Sequence, residues 1–239
     1  FIRDLKEELE KELLNARINK IQQPEKDELM ITVRTFSGGQ KKLLISAEPS
    51  LPFIYFSEEA KPSPMNAPNF CMLLRKHIGN GRITGVSQPG LERVLDITIE
   101  HQDEMGDLKS KHLITEIMGK YSNIIFTDEQ YVILDSIRRV PPTVSSVRTV
   151  LPGKTWFIPK TQDKRDLLLE DADGFLSSLL PTDTCLSAWC DHYTGLSRPT
   201  VTEFLFEHHT DPDTYVSALT FEEKERFKDL FLFFKEQIL

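Results

Sequence analysis

Cysteine is scarce: Cys71, Cys185 and Cys190 are the only three in 239 residues. An odd and small number cannot build the disulfide framework of a secreted mini-domain, and it points to a reducing compartment. No apolar run approaches the roughly 20 residues that span a bilayer, so no membrane partner is expected. Internal repeats and low-complexity tracts are absent too, which sets aside solenoids and disordered polymers. The opening Phe1-Ile2-Arg3-Asp4 is neither an initiator methionine nor a signal peptide, and the expectation is that residues precede it. What is present is ordinary globular material, 39% hydrophobic and 28% charged, long enough for one large domain or two modest ones.

The formal net charge of -8 argues at first against a nucleic-acid partner, because phosphate binding rests on Lys and Arg. Whole-chain charge says little about a local patch, however. Residues 131–165 hold Arg138, Arg139, Arg148, Lys154, Lys160, Lys164 and Arg165 against Asp135 and Asp163. The acidic surplus lies in the first helix, in 96–107 and in 203–229. Such segregation permits a basic face on an acidic protein.

Leu5, Leu9, Leu13 and Leu14 recur at helical spacing, so residues 2–15 read as an amphipathic helix packing on its own domain. Alternating segments then predict strands at 17–21, 29–34, 42–46 and 53–56, with Gly38-Gly39 as a hairpin signal and 57–68 as a loop. A short helix over 69–78 follows Pro68 and ends at Gly79 and Gly81. Further strands are expected at 82–88, 94–100, 111–116, 123–127 and 131–136, and the segment from Pro141 to Pro159 is extended. Beyond it the pattern turns helical, at 166–180, 184–194, 198–208 and 213–239, with caps at Ser197 and Asp213. The fold expected is therefore α+β, a β-rich domain over 1–160 and an all-α domain over 165–239, joined by a linker at 161–164.

Four stretches of the β-rich part carry polar groups that a purely structural domain would not need. One holds Arg75 and Lys76 on the short helix. Another is Gln88-Pro89-Gly90-Leu91-Glu92-Arg93. A third runs Glu116-Ile117-Met118-Gly119-Lys120-Tyr121-Ser122-Asn123, and the last is Arg148-Thr149-Val150-Leu151-Pro152-Gly153. Glu92 and Arg93 read equally as charges leaving a β-turn toward water and as a recognition pair; an arginine fork suits bidentate phosphate or base-edge contact. Lys120, Ser122 and Asn123 beside Gly119 offer donors for a phosphate or a ribose hydroxyl, or are incidental side chains on a glycine turn. Cys185-x4-Cys190-x-His192 has zinc-ligand residue types, but spacings of five and two do not bring three ligands to one helix face. Buried cysteines with an incidental histidine are the expectation there, and His208-His209 is equally bland. No catalytic constellation, metal or cofactor emerges, so a binding protein is expected rather than an enzyme.

Phe70-Cys71-Met72-Leu73-Leu74-Arg75-Lys76-His77, Gln88-x-Gly90-Leu91-Glu92-Arg93 and Glu116-Ile117-Met118-Gly119-Lys120-x-Ser122-Asn123 together resemble the signature of the NFACT N-terminal domain. Arg17-Ile18-Asn19-Lys20-Ile21-x-Gln23-Pro24 and Arg148 to Gly153 are similar to that family as well. The blocks keep their order over roughly residues 15–155. The resemblance implies an N-terminal fragment of a ribosome quality-control factor of the Rqc type, cytoplasmic and ribosome-associated. Such factors bind obstructed large ribosomal subunits and recruit transfer RNA for untemplated C-terminal tails, alanine tails in bacteria. It also implies a fold like the N-terminal domain of formamidopyrimidine-DNA glycosylases, then a helix-hairpin-helix-like module that Tyr193 to Ser197 would suit. A coiled coil and a further domain would lie downstream. By position it ties Glu92 and Arg93 to transfer RNA handling, with Glu92 a departure from the family's more usual aspartate. Glu116 and Ile117 match the family's glutamate–isoleucine pair, and Ile117 reads as core as readily as contact. With Arg75, Lys76, Lys120, Ser122 and Asn123, these form the expected transfer RNA site.

Family members are also described as binding fibronectin or fibrinogen, which makes a cell-surface adhesin the alternative, although neither a secretion signal nor a wall anchor is visible. A DNA glycosylase would rest on fold likeness alone. It would need a nucleophilic N-terminal amine and a neighbouring acid, and no such pair can be located.

Overall fold

In the computed structural model, residues 2–103, 105–159 and 163–238 are described. Helix α1 (Ile2–Leu13) leads into strands β1 (Arg17–Gln22), β2 (Glu28–Arg34), β3 (Gln40–Ser46) and β4 (Phe53–Ser57). After α2 (Asn69–Ile78) come β5 (Arg82–Ser87), β6 (Val94–Gln102), β7 (Leu108–Glu116), β8 (Asn123–Asp128) and β9 (Ile133–Ser136). These strands form one antiparallel sheet in the order β4-β3-β2-β1-β5-β6-β7-β8-β9. The expected α+β character, strands followed by C-terminal helices, is what the chain adopts, and the sheet is antiparallel.

The leucine face of α1 is shorter than the spacing predicted. The helix stops at Leu13, Asn15 takes the left-handed φ of 63°, and Leu14 is left 41% exposed. Leu9 and Leu13 enter a core with Phe70, Cys71, Leu74 and Ile78 of α2 and the inward side chains of the strands, among them Ile31, Leu95, Ile97 and Leu113. The other face of β6–β8 has its own smaller core of Val94, Ile114, Ile125, Ile133 and Val150. Tyr131, Trp156 and Ile158 pack over it. Strand alternation sorts the two sets: Leu95 and Ile97 point one way, Val94 and Asp96 the other.

The chain divides into two compact units, one of residues 1–89 and 93–159, the other of 90–92 and 160–239. In the second, α3 (Ala172–Ser178), α4 (Cys185–Cys190), α5 (Arg198–Glu207) and α6 (Phe221–Ile238) surround Phe175, Trp189, Tyr193, Phe227 and Phe231. Gly90 to Glu92 belongs to this unit: a Cβ on Gly195 would lie 2.3 Å from Leu91 Cβ, and Gly195 itself sits at φ +79°, so only glycine serves there.

Three of the expected helices are shorter, and that of 184–194 is helical only over α4. The 166–180 segment is a 3-10 turn at Leu167–Leu169 followed by α3, because Asp166 and Asp171 each accept a backbone N–H and start a separate turn. Asp213 does not cap the last helix. Thr220 does, accepting from Glu223 N while Glu223 accepts from Thr220 N, a reciprocal capping box. The Ser197 cap forms as expected, accepting from Thr200 N.

Candidate functional site

Arg93 stands one residue before β6, next to the Val94–Glu116 cross-strand pair, and its carbonyl accepts a 2.8 Å hydrogen bond from Ile117 N. The side chain is exposed, and among the described residues it has no ion pair or hydrogen bond. Its guanidinium therefore keeps all five donors for something outside the fold.

Glu116, one strand away, is the opposite case. Its side chain is 0% exposed and its carboxylate is filled from two directions. Arg148 Nη1 donates to Oε1 at 2.6 Å, Arg148 Nη2 donates to Oε2, and Trp156 Nε1 donates to Oε1 at 2.9 Å. Ile117 is buried in the aliphatic core. Neither side chain offers a surface to a macromolecule in this conformation, so the contact role expected of both gives way to a structural one.

The glycine turn that follows divides in the same manner. Gly119 at φ +55° opens a short 3-10 turn, Gly119–Tyr121. Ser122 is buried with Oγ accepting from Met118 N at 2.8 Å. Asn123 is buried as well; its Oδ1 accepts from Ile124 N and Arg138 N, and its Nδ2 donates to Arg138 O at 2.8 Å. Their polar groups are used up inside the protein, which removes Ser122 and Asn123 as ligand donors. Lys120 remains exposed, its ammonium 4.9 Å from the ring centre of Tyr121. Tyr121, at 66% exposure, was missed in the sequence. An aromatic beside lysine in a glycine turn is the signal that could have found it, since exposed rings stack on unpaired bases.

Arg75 and Lys76 are not brought to this end. Arg75 Nε donates to Ile21 O at 2.8 Å, pinning the guanidinium to β1. Lys76 lines a cavity of about 530 Å³ with Gln102, Lys109 and Lys111. Gln102 ends the strand that Arg93 precedes, and nine strand residues separate the two by roughly 30 Å.

Most cations of the basic run of 131–165 are engaged within the protein, some by carboxylates and some by backbone carbonyls. Arg138 donates to the carbonyls of Ala47 and Ser122, Arg139 forks onto Asp135 at 2.9 and 3.0 Å, and Arg148 pairs with Glu116. In the helical unit Lys164 donates to Cys190 O and Arg165 pairs with Glu170. Lys154 is exposed, and Lys160 lies outside the described residues. The charge of the run counts Asp135 but neither Glu116 nor Glu170, which lie outside it, so the run is no measure of a cationic surface.

Glu92 is described with the helical unit. Partial burial pushes its carboxyl above the ordinary range, and Asp166 adds like-charge repulsion. In that unit burial raises the Cys185 thiol to about 11 and raises Cys190 too, while His192 Nε2 meets Asp183 at 2.9 Å. Both cysteines are thus protonated packing groups at neutral pH. Among the described residues no helix is long and apolar enough to cross a membrane.

Comparisons with known proteins bear on the same residues. The profile of the NFACT N-terminal and middle domains matches residues 1–239. The Rqc2 homolog RqcH of Bacillus subtilis is 38% identical over 199 residues, 82% of this chain and 35% of its own length. The human ribosome quality control complex subunit NEMF is 29% identical over 131 residues, 55% of this chain and 11% of its own. This chain thus spans about a third or less of those relatives. Among solved structures, the N-terminal domain of the fibronectin-binding protein PavA from Streptococcus pneumoniae superposes with a TM-score of 0.77 at 31% identity, covering 87% of this chain and 82% of that one. The fibrinogen binding protein of Staphylococcus aureus gives 0.78 at 25% identity, covering 99% and 81%. A match over its whole length places this chain in the NFACT family of ribosome quality-control factors.

Proposed function

We propose that this chain is the RNA-gripping part of a ribosome quality-control factor. In this reading the whole protein works in the cytoplasm on obstructed large ribosomal subunits, where it recruits transfer RNA for untemplated C-terminal tailing of stalled nascent chains, with alanine in bacteria. Its role is binding, not catalysis. The observation that carries the reading is Arg93: exposed, without a partner among the described residues, and within the motif that the family ties to transfer RNA. Lys120 and Tyr121 supply a cation and a stacking face of the kind that RNA loops engage. We take the sheet unit to share the fold of formamidopyrimidine-DNA glycosylase N-terminal domains, and α4, Gly195 and α5 to form the helix-hairpin-helix-like element.

The test is transfer RNA binding by the full-length protein across a salt series. Affinity should fall steeply with salt, as counterion release requires. Arg93→Ala should weaken binding by about tenfold or more, the scale of one lost arginine contact, and stop tail synthesis. Tails made at the normal rate by Arg93→Ala protein would remove Arg93 from the site.

A second reading, binding of fibronectin or fibrinogen at the cell surface, is favoured by the names of the structural neighbours. Cell fractionation separates the two, since an adhesin must be found outside the membrane.

A further inference from the structure

Both oxygens of Glu116 are occupied by Arg148 and Trp156, and no part of its side chain reaches solvent. An RNA phosphate or base would have to expel Arg148 before touching it. Yet Glu116 is close to Arg93 along the backbone: it faces Val94 across the strand pair, and the next residue, Ile117, donates its N–H to the Arg93 carbonyl. We propose that Glu116 is a positioning residue for Arg93, acting through the buried pair with Arg148, and is not itself an RNA contact. The role in RNA binding rests on the reading of Arg93 given above; the positioning does not.

The physical case has three parts. First, an ion pair removed from water stabilises little on balance, but breaking it leaves an uncompensated buried charge, so such a pair is a strong selector of one arrangement. A one-residue slip of β7 against β6 would turn Glu116 toward Leu95 and Leu113 in the aliphatic core, where its charge has no partner. The pair therefore fixes which residue lies opposite Val94, and with it the site from which Arg93 projects.

Second, Arg148 is itself held. Its segment is bridged by reciprocal Val140–Val150 hydrogen bonds of 3.0 and 2.8 Å, and its Nη1 also donates to Phe157 O at 3.2 Å. Without the Glu116 charge the guanidinium, 11% exposed, would keep a single carbonyl acceptor and swing toward water. Third, the clamp is continuous with the layer covering this face. Trp156 stacks on Tyr131 at 5.6 Å, Tyr131 stacks on His112 at 4.3 Å, and Asp96 accepts from the Tyr131 hydroxyl at 2.8 Å and meets His112 Nδ1 at 3.0 Å. Linked polar contacts of this kind hold their members in one arrangement, and this chain of contacts is anchored at Glu116, whose neighbour Ile117 holds the Arg93 carbonyl.

The experiment uses the 239-residue chain and four variants: Glu116→Gln, Trp156→Phe, Arg93→Ala, and Glu116→Gln combined with Arg93→Ala. Thermal melts establish that each is folded. Binding of unfractionated deacylated transfer RNA is measured for all, and amide hydrogen exchange is followed at Ile117. Glu116→Gln should weaken binding by about tenfold, within the range seen for coupled neighbours, and Trp156→Phe by less. The double variant should bind within about twofold of Arg93→Ala alone, because both changes act through one guanidinium. Exchange at Ile117 should quicken by about tenfold in Glu116→Gln while amides of the β2–β3 pair keep their rates. An additive loss in the double variant would make Glu116 a separate contact and overturn the proposal, as would an Ile117 amide indifferent to Glu116→Gln. Should the unaltered chain fail to bind transfer RNA, the RNA reading falls and the exchange measurement still decides the positioning. Trp156→Phe, which keeps the ion pair and removes one donor, carries both readouts if Glu116→Gln does not fold.

Discussion

On one face of β6 and β7, Leu95, Ile97, Ile99 and Leu113 point into an aliphatic core shared with α1 and α2. On the other, Asp96, His112 and Glu116 meet Tyr131, Trp156 and Arg148. The first face is held by non-directional burial, which tolerates a neighbour of similar size. The second is held by directed pairs, each useful only when its partner is in place. The apolar face supplies stability and the polar face supplies register.

The largest expected effect tests that division directly. Glu116→Ala strands Arg148 and should cost about 3–5 kcal/mol in chemical denaturation. Leu113→Ala, on the opposite face of the same strand, should cost about 2–5 kcal/mol as a simple cavity. The faces separate on repair: Glu116→Leu together with Arg148→Met should return most of the loss, since an apolar pair of similar volume replaces a buried ion pair at little cost. If the double variant is as unstable as Glu116→Ala, the pair does more than satisfy its own charges.

Next in size is Tyr131→Phe, which leaves a buried Asp96 oxygen without its donor and should cost about 1–3 kcal/mol. The same residue gives the comparison a pH axis. Tyr131 in the sheet unit and Tyr193 in the helical unit both have their hydroxyl pKa raised to about 12, by burial first; for Tyr131 the bond to Asp96 adds to it. A raised value means that the protonated hydroxyl stabilises the fold. That contribution is complete below the ordinary tyrosine pKa of about 10 and is lost as pH climbs through about 12. Melting temperature should fall over that window, and Tyr131→Phe should flatten the fall for the sheet unit while leaving the helical unit's share.

The smallest effect belongs to Glu92. Its raised pKa means that the charged form disfavours the fold, so Glu92→Gln should lift the melting temperature at pH 7 by about 1–2 °C. The gain should vanish as pH falls below the ordinary glutamate value of about 4.3, where both states hold the proton. A loss of stability at pH 7 would show that the Glu92 charge is used within the fold.

Most strands were legible from alternation, and the Gly38-Gly39 hairpin from its turn residues, because both signals are local. Helix starts were legible where one side chain capped one turn, as at Ser197. They were misread where two polar residues competed, and Asp213 was chosen over the Thr220–Glu223 box. Within the candidate site, Arg93 and Lys120 stand where exposed contacts can be made. The fate of Glu116, and in part that of Asn123, was invisible because groups that occupy them lie far along the chain, whereas Ser122 is filled by Met118 N only four residues away. Arg148 and Trp156 are 32 and 40 residues from Glu116, and Arg138 is 15 from Asn123.

From residue order alone came the α+β character, the change from strands to helices near Pro159, and the ordered motifs that mark the family, all of which depend on near neighbours and periodicity. Which polar residues of those motifs meet solvent was settled by folding. Burial and pairing depend on what the sheet brings across from distant segments, and a carboxylate becomes a clamp instead of a contact when an arginine 32 residues away closes over it.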